Sequence, residues 1–169
     1  ANGKEPIEWV VLSIENEKAL LISEYALDCQ QYNDTYTQVT WENSTLRKWL
    51  NSIFLNENFD SDEQGMMLSV TVNADENPRF STAPGGETQD KIYLLSALEV
   101  QQYFSLDNNR ICKGTPYCYT QGAFQNKNGN CWWWLRSPGG GSSNPSNNAA
   151  NVDSYGKINY SGHIVNHGN

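Results

Sequence analysis

Residues 131–169 read CWWWLRSPGGGSSNPSNNAANVDSYGKINYSGHIVNHGN, and their character changes abruptly partway along. The stretch opens on the most apolar aromatic run of the chain, Trp132, Trp133, Trp134 and Leu135, and passes at once into Gly, Asn, Ser, Tyr and His. Three adjacent indoles carry a large burial payload and anchor a core. The tail behind them has little that could anchor anything. The pattern predicts a rigid floor followed by a displayed surface, with the rest of the chain holding the floor.

A chain of 169 residues is long enough for one domain with a real core. A net charge of -8, with no run of basic residues, excludes nucleic acid as a partner, because phosphates need a basic stripe. No apolar stretch approaches the roughly 20 residues that cross a bilayer, so no membrane-spanning segment is expected. The four cysteines contain no C-x-x-C, and no zinc site is expected. Cys112 and Cys118 bracket KGTPY as a short loop staple, or else the thiols are buried or free. His163 and His167 stand four apart in a segment too rich in Gly and Asn for a helix, so a paired metal site is not expected there. No metal or cofactor is predicted.

Along the chain, residues 7–14 and 18–23 read as a hairpin with its turn at Glu15-Asn16-Glu17. Residues 25–40 read as a loop. The clearest helix is 41–54, with Leu46, Trp49, Leu50, Ile53 and Phe54 at helical spacing and Thr40, Asn43 or Ser44 as its cap. Arg47 is either a solvated charge or half of an ion pair that braces this helix. Ser61-Asp62-Glu63-Gln64 and Ser96-Ala97-Leu98-Glu99 read as capping boxes, opening helices to about Met67 and Phe104. Strands are expected at 68–72, 91–95 and 131–136, the last broken by Ser137-Pro138-Gly139. Residues 107–130 show no sustained period. Beyond Gly139, sparse apolar positions predict short strands joined by tight turns at Gly156 and Gly162.

Catalytic motifs are missing: there is no G-x-S-x-G, P-loop, G-x-G-x-x-G or H-E-x-x-H. Asp60, Asp62 and Glu63 read as the N-terminal charge of a helix, and Asp90 as a structural acceptor.

Three segments carry a resemblance: TWENSTLRKWLN (residues 40–51), TQDKIYLLSALE (88–99) and WWLRSPG (133–139). In this order they resemble a domain family of unknown function common in gut bacteria. Its WWLRSPG-containing members look like variable proteins of diversity-generating retroelements. The resemblance implies a C-type-lectin-like fold akin to the formylglycine-generating enzyme, and a C-terminal repeat whose adenines are rewritten by an error-prone reverse transcriptase. It also implies one strand before Glu5 and a closing strand beyond Asn169.

The genetic code provides an internal check. Mutating the adenines of an Asn codon never yields Lys, Glu, Gln, Met or Trp. These types fill 34 of residues 1–139, so about 7 are expected among the 30 residues from Gly140; only Lys157 occurs. Exposed Gly/Asn/Ser loops also avoid these types, so the depletion supports the resemblance without requiring it.

The expected fold is therefore α+β and C-type-lectin-like, with two main helices on a small twisted antiparallel sheet, many loops, and a single domain over 1–169. The expected function is non-catalytic binding of a protein or glycan ligand through a variable region at 140–169, placed on a cell surface, secreted or on a virion. Tyr supplies amphipathic area at low entropic cost, while Ser, Gly and Asn adapt their hydrogen bonds. The expected ligand-facing residues are Ser142, Ser143, Asn144, Ser146, Asn147, Asp153, Ser154, Tyr155, Asn159, Tyr160, Ser161, His163, Asn166 and His167, gathered on one exposed surface. A conventional carbohydrate-binding lectin would instead cluster carboxylates around Ca²⁺. A formylglycine-generating-type enzyme would place reactive cysteines in a cleft.

Overall fold

A run of bulky apolar residues without alternation fits a strand only if both of its faces are covered. Strand β7 (Trp133–Pro138) is such a strand in the computed structural model, which describes residues 5–141, 143 and 145–168. It lies at the edge of a three-stranded antiparallel sheet in the order β7-β8-β9, with β8 at Asn148–Val152 and β9 at Ile158–Ile164. Successive side chains leave opposite faces. Trp134 and Ala149 enter one core with Tyr32, Trp41, Leu46, Leu50 and Phe54, while Leu135 and Ala150 enter a second with Leu95, Ala97, Val100 and Tyr160.

Smaller antiparallel pairs frame this sheet: β1 (Trp9–Glu15) with β2 (Lys18–Ser23), β3 (Val70–Val72) with β4 (Thr88–Asp90), and β5 (Cys112–Lys113) with β6 (Asn130–Cys131). The β1–β2 turn places Asn16 and Glu17 at positive φ, as a two-residue hairpin turn requires. Mixed helix and strand with small antiparallel sheets makes the chain α+β. Among the described residues, no helix is long and apolar enough to cross a membrane.

The helical segment begins where Ser44 accepts a hydrogen bond from the Arg47 amide, and runs as α1 (Thr45–Trp49), a π-helical stretch Leu50–Phe54, and α2 (Leu55–Asn58). The wider turn alters the expected stripe. The buried side chains are Leu46, Leu50, Phe54 and Leu55, whereas Ile53 is rotated out and 52% exposed. Trp49 is only half-buried, against Phe54. Helix α3 (Ser61–Met66) does carry a capping box, but Asp60 rather than Ser61 is the cap and Glu63 the reciprocal partner. The box at Ser96 and Glu99 opens α4 (Ala97–Tyr103) as expected.

Residues 91–95 are not a strand. Their polar groups are met one by one: Asn51 Oδ1 accepts from the Lys91 and Ile92 amides, Asn51 Nδ2 donates to the Ile92 carbonyl, and the Arg136 guanidinium and amide donate to Leu94 and Leu95. With those groups satisfied, no ladder is needed. The strand is β4, just upstream. The stretch 107–130 contributes β5, β6 and the short helix α5 (Pro116–Thr120), capped by Thr115.

The segment expected to end at a Ser-Pro-Gly breaker continues as strand through Pro138, and each residue of the motif has a partner. Trp133 Nε1 donates to the Arg110 carbonyl and Trp134 Nε1 to Gln30, both at 3.1 Å. Leu135 is fully buried. Arg136 pairs with Glu99 and with Asp75, the latter at 2.7 Å, and donates to the Asn73 and Leu94 carbonyls. Ser137 Oγ accepts from the Ala97 amide at 3.0 Å, and the Pro138 carbonyl accepts from Asn77 at 2.8 Å. Arg47 is likewise a brace: Asp90, buried, accepts from Arg47 at 2.7 Å, Trp41 Nε1 at 3.0 Å and Thr88 at 2.6 Å.

Candidate ligand-binding surface

The tail folds back as the β8–β9 hairpin, and its framework positions are the small apolar ones. Ala149, Ala150, Val152 and Val165 are buried, with Ile158 partly so. The turn at 153–157 is set by Asp153, whose Oδ1 accepts from the amides of Tyr155 and Lys157 at 2.8 and 2.9 Å. Gly156 has φ 82° there and packs on the Asp107 carbonyl, where no Cβ fits. Gly162 is not a turn. It lies inside β9 at φ 74°, against the Ala149 carbonyl, where the pairing of β8 and β9 shifts register. Asn159 accepts from the Gly162 amide at 3.2 Å and donates to Asn151 Oδ1 at 3.0 Å, so it braces this bulge.

The expected ligand-facing residues therefore separate. Ser142 and Asn144 lie outside the described residues. Ser143, Tyr155, Ser161 and His167 are exposed; Ser146, Asp153, Asn159, His163 and Asn166 are partly so. Asn147, Ser154 and Tyr160 are buried, which corrects the expectation of exposure for these three. For Tyr160 the reason is its strand, β9, from which the side chain enters the second core; Asn147 lies in the short 3-10 turn Pro145–Asn147 before β8 and Ser154 in the turn after it. Tyr160 is held in the second core, its ring under the Arg79 guanidinium at 4.3 Å and its hydroxyl accepting from Gln101 at 2.9 Å. Ser154 sits beneath the turn, its carbonyl accepting from Asn126 and Asn130.

The accessible members are also spread along the hairpin. Tyr155 and Asp153 occupy the turn end of the hairpin. Ser146, His163, Asn166 and His167 belong to the open end, on the order of 15 Å away at about 3.3 Å per strand residue. At the open end, the turn after Ile164 closes with the His167 amide donating to the Ile164 carbonyl at 2.9 Å. This sets the two imidazoles side by side, ring centres 5.3 Å apart. Trp132 backs both, at 5.1 Å from His163 and 6.0 Å from His167, nearly parallel to the latter at 12°. Burial, and secondarily the charge of His167, holds His163 below the ordinary histidine range. Two imidazoles without a third ligand do not make a metal site, and among the described residues no group of three or more His, Cys, Asp or Glu is placed to hold an ion.

Beside this end lies an open groove of about 360 Å³ between the loop Phe80, Ser81, Thr82, Ala83 and the segment carrying Gly141, Pro145 and Ser146. The contribution of the Phe80 loop has no signal in the sequence, where 73–87 is a Pro/Gly-rich loop like any other. The contact of Trp132 with both histidines was equally hidden, because it depends on where the β9 turn falls.

A fold of small antiparallel sheets with braced helices and a loop-bordered surface defines an α+β domain. The chain belongs to the family described as a domain of unknown function (DUF6273), whose model matches residues 16–168. It matches no curated protein and no solved structure.

Proposed function

We propose that this domain is a non-catalytic ligand-binding protein of C-type-lectin-like fold whose C-terminal segment, 140–169, is diversified by a retroelement. The observation that carries the reading is the division of labour within that segment. Its buried anchors Ala149, Ala150, Val152 and Val165 are small and apolar, while Ser143, Tyr155, Ser161 and His167 are exposed, the first three of residue types favoured in paratopes. The scarcity of Lys, Glu, Gln, Met and Trp in the same segment supports it from an independent direction.

The proposed contact surface is the open end of the hairpin, with Ser146 lining the Phe80 groove, Ser161, His163, Asn166 and His167 nearby on the hairpin, and Tyr155 as a separate outlying contact. Its ligand is a protein or a glycan. Sequencing the gene's surroundings tests the proposal. The expected finding is a reverse-transcriptase gene and a near-identical repeat of the 140–169 coding segment that differs at adenines. A repeat whose differences ignore adenines, or no repeat at all, overturns it.

A further inference from the structure

Cys112 and Cys131, far apart in sequence, are direct Cα partners in the β5–β6 ladder. Residues opposite one another in an antiparallel pair have Cα atoms about 4.5–5.5 Å apart. That lies inside the roughly 4.4–6.8 Å span that a disulfide bridges. Cys131 Sγ reaches the backbone of its partner, 3.5 Å from the Cys112 carbonyl oxygen. The Cys131 side chain lowers the Cys112 thiol from the ordinary range, and the Cys112 side chain, with burial, raises Cys131. Burial and the Glu24 carboxylate oppose the lowering of Cys112, and a backbone hydrogen bond from Ala26 assists it. Access is unequal: Cys112 is part-exposed and Cys131 is 2% exposed. Cys118, the expected staple partner of Cys112, is buried in α5 and its thiol is turned to the Asp28 backbone. Its sulfur lies 3.4 Å from the Asp28 carbonyl, and burial first, then the charges of Cys29 and Asp28, push its thiol up to about 12.

We infer that Cys112 and Cys131 are a disulfide-forming pair, oxidised by exchange with a small-molecule disulfide of the glutathione type, with Cys112 attacking and Cys131 resolving. The Cys112 thiolate attacks one sulfur of the oxidant, whose S–S bond breaks and releases one thiolate. Cys131 gives its proton to solvent and attacks the Cys112 sulfur of the mixed disulfide, releasing the second thiolate. Two protein thiols are oxidised by two electrons and the oxidant is reduced to two thiols. The product is a bond across two-residue strands that encloses α5 and the loop after it, and it ties them to the strand leading into the tryptophan run.

Native wild-type protein is incubated with oxidised glutathione in mildly alkaline buffer and digested without reduction for peptide mapping. The expected product is a single intramolecular Cys112–Cys131 bond, with Cys118 alkylated only after denaturation. C131S should stop with one glutathione on Cys112, and C118S should still form the bond. A bond from Cys112 to Cys118 or Cys29, or four thiols recovered from the wild type after equilibration, overturns the inference. The wild-type map stands whether or not any variant folds.

Discussion

Arg136 is the residue through which three parts of the fold are joined. Its guanidinium meets Glu99 of α4, Asp75 of the long loop and the Leu94 carbonyl, while its own carbonyl accepts from the buried Tyr32 hydroxyl at 3.1 Å. Removing one partner of a buried ion pair leaves the others uncompensated, so R136M should cost roughly 3–5 kcal/mol in urea unfolding; a loss below about 1 kcal/mol contradicts the hub role. The two tail tyrosines should behave oppositely. Y160A removes a core ring and should cost roughly 3–5 kcal/mol, whereas Y155A should stay within about 0.5 kcal/mol. On the proposed reading Y155A also weakens ligand binding, measured on a glycan and protein array. Equal stability losses would place both rings in the same environment and contradict the structure. His163 gives a pH signature. Its folded pKa is depressed below the ordinary value of about 6.5, so its contribution to stability is present above that value and lost as pH falls through the folded one. Melting temperature followed from pH 8 to 5 should fall less steeply for H163Q than for wild type; parallel curves rule the effect out.

At the scale of elements, what could be read from the sequence was whatever local chemistry decides. Ser96 and Glu99 specify a helix start without help from the rest of the chain, and the Trp132–Leu135 run specifies burial. What stayed hidden depends on contacts distant in sequence. Nothing in residues 50–54 announces a π-helical stretch, which turns Ile53 outward and keeps Phe54 in the core. Tyr32, in a polar loop, becomes a fully buried side chain only because Trp41, Trp134 and the Arg136 carbonyl converge on it. The candidate surface was half legible: which tail residues are framework followed from their types, but the separation of Tyr155 from His163 and His167 required the hairpin's register. The π-helical register is testable. I53K should change stability by no more than about 0.5 kcal/mol, while F54A should cost roughly 3–5 kcal/mol. A severe loss from I53K would restore the regular α-helical stripe.

Across the whole molecule, support comes from packing and from a few buried ion pairs, with Arg47–Asp90 fastening α1 to β4 and Arg136–Glu99 fastening β7 to α4. A chelator should therefore leave the melting temperature unchanged; a substantial drop would favour a calcium-dependent lectin instead. The backbone at Gly156 and Gly162, pressed against the carbonyls of Asp107 and Ala149, has a consequence written in nucleotides. Every glycine codon begins GG, and an adenine can stand only in its silent third place. The same holds for the codons of Ala149, Ala150, Val152 and Val165. Where the template repeat carries these same codons, adenine-directed rewriting cannot change these positions, however often the segment is copied. The code itself would then protect the collisions and cavities that the fold could not survive, and the variation would be spent on Asn, Tyr and His codons, whose adenines alter the residue.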